Sequence, residues 1–482
     1  MKKSILLLIT TVIIIAVGCR KIELDGEKEI IIVTQPGSGS TTGQTIYLKG
    51  TITADTVLRS TNTYILQGPV VMDNNKTMTI EPGTVIKGAY SGSDVGFLVI
   101  TRGSKINAQG TSEKPIVFTS ASANPQSGDW GGIVICGKAA INTTLNGTPN
   151  LVNVEGLQGL TGTQGNAGSG DNNPVLNDNS GILSYVRIEY AGYAFQPDKE
   201  LNSLTLAAVG NGTTIDHVQV SYAKDDAYEW FGGNVNVKYL IAYKTQDDDF
   251  DTDNGYSGNV QFGLVVRDSA IADISKSEAF ESDNNSTGTT ALPKTNAVFS
   301  NITAIGPRAS LSNIGNSLYL AGAHIRRNSS ISIFNSVIMG WPTGILIDAG
   351  TGSATDLNIN DSTLRIRYTT IAGNNQAVKY APNGTPTGMT EAALLTWFTN
   401  SYFGNTVLTN VADAKLTRPF NYSDFDATPI AGSSGYAPIL SGGNFTDSKV
   451  ADAFFSKVPF RGAVFPAGEF SNWWKGWAKF NF

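Results

Sequence analysis

Ile215-Asp216-His217-Val218-Gln219-Val220 stands over Val237-Lys238-Tyr239-Leu240-Ile241-Ala242, and both stand over Val260-Gln261-Phe262-Gly263-Leu264-Val265, at offsets of about 22 residues. A recurrence of this length is one coil of a parallel β-helix, whose coils stack at a strand spacing of roughly 4.8 Å. A β-sandwich would show hairpin signals and no constant offset. Short apolar or β-branched runs bounded by Gly, Pro or Asn extend the repeat both ways. Thr77-Met78-Thr79-Ile80 and Phe97-Leu98-Val99-Ile100 precede it; Val298-Phe299, Ile331-Ser332-Ile333 and Leu364-Arg365-Ile366 follow. The 52 glycines are the composition of an all-β chain full of turns. The expected fold is all-β: a parallel β-helix over residues 45–389, then a C-terminal cap region over 390–482 that contains a short helix.

Two segments interrupt the repeat. Residues 156–181, rich in Gly, Asn and Thr, read as a loop inserted between coils. Residues 390–399 read as a helix with Thr390 as N-cap. Trp473, Trp474 and Trp477 crowd the tail. They read as a cap closing the open end of the solenoid, with a carbohydrate-stacking platform as the alternative.

The N-terminus carries an address. Lys2 and Lys3 precede the apolar run Ile5 to Val17, which ends at Ala16-Val17-Gly18-Cys19. Small residues before a cysteine are what lipoprotein signal peptidase reads. The run is too short to span a bilayer core of roughly 30 Å as a helix. Residues 1–18 are therefore expected to be a lipoprotein signal, Cys19 the lipidation site, and residues 19–44 a lipidated tether of charged and then Gly/Ser-rich composition. The expected location is lipid-anchored in an outer membrane. Cys136, in an apolar run, reads as a small buried hydrophobe with no partner for a disulfide. The net charge of −6 argues against nucleic acid or anionic lipid as a partner.

The candidate chemistry lies in an acidic ladder on the same repeat. Asp225-Asp226-Ala227-Tyr228-Glu229 aligns with Asp247-Asp248-Asp249-Phe250-Asp251, which sets Asp225 over Asp247, Asp226 over Asp248 and Glu229 over Asp251. A third copy places Glu278, Glu281 and Asp283 under Asp248, Asp251 and Asp253. Stacked carboxylates about 5 Å apart repel by several kcal/mol at an effective dielectric near 20. Calcium, which takes six to eight oxygens, would relieve this. Carboxylates that are solvated or cap backbone N–H groups, and a proton-sharing catalytic pair, are the competing readings. Asp249 to Gly255 alternates carboxylates like a calcium loop. It is not an EF-hand, because Gly255 is one place late and Val260 stands where a Glu is required. His217 reads as a satisfied ladder residue rather than a base, and His324 with Arg326 and Arg327 as solvated charge beside a strand, with a basic anion-binding spot as the alternative.

Thr79-Ile80-Glu81-Pro82-Gly83-Thr84, Gly128-Asp129-Trp130-Gly131-Gly132, Val186-Arg187-Ile188-Glu189-Tyr190-Ala191-Gly192 and Glu229-Trp230-Phe231-Gly232-Gly233 together resemble Bacteroidetes lipoproteins with a predicted right-handed parallel β-helix. The resemblance runs from about residue 45 to the end. It implies a right-handed solenoid facing the cell exterior, and carries no assigned activity. Some relatives end in a type IX secretion domain; this chain stops at Phe482 without one, in keeping with anchoring through Cys19. Two classes of function remain open. One is a surface accessory protein that binds polysaccharide or a protein partner along the solenoid faces, using Trp230, Tyr256 and Arg267 beside the ladder, with Tyr193, Phe195, Trp341 and Tyr436 as further exposed-type aromatics. The other is a calcium-dependent polysaccharide lyase, with Arg267 or Lys244 as base, or a glycoside hydrolase. No catalytic motif is recognisable, which favours the binder.

Overall fold

The computed structural model describes residues 33–35, 43–196, 199–313, 315–432 and 437–482. The signal segment, Cys19, most of the tether, Tyr436 and the side chain of Phe195 lie outside them. The chain winds into a right-handed parallel β-helix. Among the described residues its main sheet has 27 strands, and the one antiparallel pairing within it is that of Val33–Gln35 with Thr45–Ile52.

The register confirms the repeat: Ile215 pairs with Val237, Val237 with Val260, and Val260 with Phe299. Each run that reads as a strand is in fact two. Thr214–Ser221 pairs with its neighbours through residues 215–216 and again through 218–221, and bends at His217. His217 has φ 49, and the equivalent residues of other coils, Tyr185, Tyr239, Phe262, Asn301, Asn335 and Tyr368, are all left-handed as well. A non-glycine residue there is strained. Stacking along the corner offsets the strain. The ring of His217 lies 4.3 Å from that of Tyr185 and 4.4 Å from that of Tyr239, and Tyr239 lies 5.1 Å from Phe262.

Three parallel sheets result. Two flank this corner. The third runs through Phe97–Ile100, Gly132–Cys136, Leu204–Ala207, Tyr228–Phe231, Phe250–Asp253, Ser277–Ser282, Tyr319–Ile325 and Thr343–Asp348. Alternation sends Tyr228, Trp230, Phe250 and Phe280 inward, where they stack at 5.5–6.2 Å. The insertion between coils is longer than expected. It leaves the solenoid after Cys136 and returns at Gly181, with two small hairpins on the way. Val154, Leu157 and Ala167 of this insertion pack over the outward face of Val71, Val99, Val134 and Cys136. Cys136 is buried there as a small hydrophobe, and burial pushes its thiol up to about 12.

The helix Glu391–Phe398 forms as read, with the Thr390 hydroxyl accepting from the Ala393 N–H at 3.1 Å. It buries Leu394 and Phe398 near the final coil. The tryptophan tail does not close that end. It runs back along the left-handed corner. Gly462 N donates to Asn335 O at 2.7 Å, the Asn301 side chain to Phe460 O at 3.0 Å, Lys479 N to the Gln219 side chain at 2.8 Å and Arg187 to Trp477 O at 3.0 Å. Trp477 is fully buried, with ring centroids 5.9 Å from Tyr185 and 5.7 Å from His217. The corner aromatics point outward, and the tail is what removes them from water.

Trp477→Ala should therefore cost about 3–5 kcal/mol, read as a lower urea midpoint, with proteolysis of the tail preceding that of the coils. A loss below about 1 kcal/mol would show that the tail is a dispensable appendage.

Candidate metal centre

Parallel pairing fixes the ladder. Glu229 pairs with Asp251, Asp251 with Glu281 and Glu281 with His324, so one outward column carries three carboxylates and then an imidazole. A second column precedes the strands. The Asn202 side chain accepts from Asp226 N at 3.1 Å, Asp226 from Asp248 N at 2.9 Å, and Asp248 from Glu278 N at 2.6 Å. Each side chain thus caps the backbone of the next coil with one oxygen. For this column the backbone-capping reading is correct as far as it goes.

The carboxylates of the two columns also converge. Asp225, Asp226 and Asp247 form one group, Asp226, Glu229 and Asp251 a second, and Asp248, Glu278 and Glu281 a third. Within each group the ligand atoms lie within 4.8 Å of one another. Asp226, Glu229, Asp248 and Glu278 are all at most 8% exposed, so water screens little of the repulsion. The buried acidic groups are placed to hold a metal ion.

The third group has its own counter-charge. Arg326 pairs with Glu281 and Asp283, Arg327 with Asp283 at 2.6 Å, and His324 with Glu278 at 3.1 Å and Asp348 at 3.3 Å. Burial opposes charge on His324, but the hydrogen bonds it makes to Asp348 and Glu278 outweigh it and lift its pKa to about 9. His324 is buried and Arg326 and Arg327 are half-buried, all three paired with carboxylates, not the solvated charge expected of them. The first two groups differ. Among the described residues no Lys, Arg or His forms an ion pair with their Asp225, Asp226, Glu229, Asp247 or Asp251, nor with Asp248 of the third group. Burial raises all six, and neighbouring carboxylates add to it: Asp247 beside Asp225, Asp225 beside Asp226, Asp251 beside Glu229 and Glu278 beside Asp248. Asp247 is pushed up to about 8 and Asp251 to about 7.

Other expected site residues fall elsewhere. Asp249 is fully buried and paired with Arg267 at 3.3 Å, so it is spent inside the coil. Asp253 and Asp283 stand beside the groups and join none of them; burial pushes each up to about 7. Trp230, Tyr256 and Arg267 do not line a groove. All three are fully buried, because alternation turns Trp230 inward, Tyr256 stacks on it at 5.2 Å, and Arg267 also donates to the carbonyls of Thr245 and Asp247. Trp341 is likewise buried. Lys244 pairs with Asp268 at 3.0 Å and lies over the rings of Tyr222, Tyr243 and Tyr422. The side chain that sequence reasoning missed is Asn202. It lies one coil before Asp226, at a spacing near the repeat, and also donates to Glu229.

Metal-free, the ladder should make stability fall as pH rises. A carboxyl whose folded pKa lies above its unfolded value stabilises the fold fully below about pH 4, and that contribution disappears as pH climbs through the folded value. With Asp251 near 7 and Asp247 near 8, the melting temperature in chelator should drop by several degrees between pH 5 and 8. His324 works in the same sense above pH 6.5. A flat or rising profile in chelator would mean that the carboxylates are already ionised and solvated.

No curated protein matches the chain. Residues 50–413 match the family model for the pectate-lyase like beta helix domain, and with most of its length matched the chain belongs to that family.

Proposed function

We propose that this protein is a cell-surface lipoprotein whose β-helix is a calcium-dependent platform for binding polysaccharide. The observation that carries the metal is the set of six buried or half-buried carboxylates without a cationic partner. Calcium suits it best. The donors are hard oxygens, numerous and flexibly arranged, and the Asn202 amide adds another oxygen nearby. Zinc would want His or Cys, and neither joins these groups. The family and the long parallel faces support a polysaccharide-related role.

Binding is favoured over cleavage. The cations that a lyase would draw on as base are committed elsewhere, Arg267 to Asp249 and Lys244 to Asp268. A hydrolase needs two carboxyls across an open cleft, about 5–9.5 Å apart. Here they crowd within 4.8 Å and are largely buried. Lipid at Cys19, with the tether leading to the solenoid, supplies the surface location.

Calcium that binds only the folded ladder stabilises it by about 2.7 kcal/mol at one hundred times its dissociation constant. It should raise the melting temperature, and chelator should lower it. Asp248→Asn and Asp251→Asn should each blunt that response and, in chelator, be neutral or stabilising, because each removes repulsion at nearly constant shape. Melting curves that coincide with calcium and with chelator for wild type and both variants would remove the metal. For the anchor, Cys19→Ala should block lipidation and release the protein from the membrane fraction; unchanged membrane attachment without lipid would overturn it.

A further inference from the structure

The outward neighbour of Trp230 opens a different site. Phe231 ends its strand half-buried and facing away from the core, paired in register with Asp253. Together with Val152 to Glu155 and Gln158 of the insertion they line an open pocket of about 330 Å³ that also takes in Asn254 and Ser286. That volume is at the small end of ligand sites, which run from roughly 300 to 1,000 Å³. The frame is anchored on both sides. The Asn142 side chain ties the insertion to Asn284 O at 2.7 Å and Pro293 O at 3.0 Å, and Thr143 holds Leu151 O at 2.9 Å.

We infer that this pocket binds a short stretch of neutral glycan, with Phe231 as the stacking surface for a sugar ring and Asp253 as a hydroxyl acceptor. The inference rests on the polysaccharide-binding reading and specifies its ligand. The lining is mixed: an aromatic face beside amide, hydroxyl and carboxylate groups suits a sugar ring, which is apolar on its faces and polar at its rim. The side chains of Gln158 and Ser286 form no hydrogen bond within the protein among the described residues, so both are free to meet hydroxyls. The charge selects against uronates. No Lys, Arg or His is among the lining residues, while Asp253 and Glu155 are. A sugar carboxylate would meet like charge at close range, whereas neutral hydroxyls donate to it.

The test is calorimetry and glycan-array binding of the full chain in calcium, against short gluco-, manno- and xylo-oligosaccharides and against oligogalacturonate. Neutral oligosaccharides should bind, and Phe231→Ala should weaken them by about tenfold or more. Ser286→Trp, at an exposed position, should block the pocket without touching the core, and the calcium response in melting should persist in both variants as the check on folding. Neutral binding that survives both substitutions would place the glycan elsewhere and overturn the pocket. Preference for oligogalacturonate would overturn the neutral ligand while leaving the polysaccharide reading intact. Absence of binding to every glycan would overturn both.

Discussion

Hydrogen bonds between Tyr228–Phe231 and Phe250–Asp253 leave Glu229 no choice but to sit over Asp251. In-register parallel pairing sets each side chain on its counterpart one coil away, at strand spacing, for as long as the solenoid continues. Inside, this multiplies good contacts: Tyr228 on Phe250, Phe250 on Phe280, Trp230 on Tyr256. Outside, it multiplies whatever the sequence puts there. Like charges directly opposite are destabilising, and the fold cannot slip to relieve them, because a shift of one residue would turn Phe250 outward and Asp251 inward. A repulsive column is thus held in place by an attractive one on the same strands. The metal question follows from this constraint and not from any resemblance to a known calcium loop.

The same stacking governs the left-handed corner. A single strained residue per coil is tolerable only if its neighbours hold it. Tyr185, His217, Tyr239 and Phe262 do so by ring contact, and Asn301 and Asn335 do so by hydrogen bonds to the returning tail. The tail accordingly has two textures. It meets the asparagine stretch with backbone groups and the aromatic stretch with Trp473 and Trp477. Its tryptophans are a side wall for one corner of the solenoid.

Much of this was legible in the sequence, for a physical reason. Stacking favours the same residue type at the same phase of each coil, so Tyr228, Phe250 and Phe280 betray the period, and the carboxylates beside them betray the ladder. What escaped were features that periodicity does not encode. The left-handed bend at His217 lies inside a run that reads as one strand. The destination of the tail is set by contacts some 260 residues away in the chain, such as Gln219 with Lys479. The insertion begins in a segment, after Cys136, whose apolar residues look like further coil. Trp230, Tyr256 and Arg267 lie in the core for a different reason. Alternation separates Trp230 from Phe231, and the strand phase sends the larger ring into the core and the smaller one outward.

The outward column of the third sheet ties the site to the insertion. Followed coil by coil it reads Val71, Val99, Val134, Thr205, Glu229, Asp251, Glu281, His324, Leu346 and Lys379. The valines could not face water as a block, and the insertion covers them with Val154 and Leu157. The far carboxylates have Arg326 and His324. Between the covered valines and the compensated end lie Glu229 and Asp251, whose carboxylates form no ion pair with a Lys, Arg or His among the described residues. Phe231 and Asp253 mark the seam on the adjoining column, one still apolar and the next already acidic. A face that changes character this abruptly, on strands too rigid to adapt, concentrates its unmet interactions at one place, and that is where cation and ligand have most to gain.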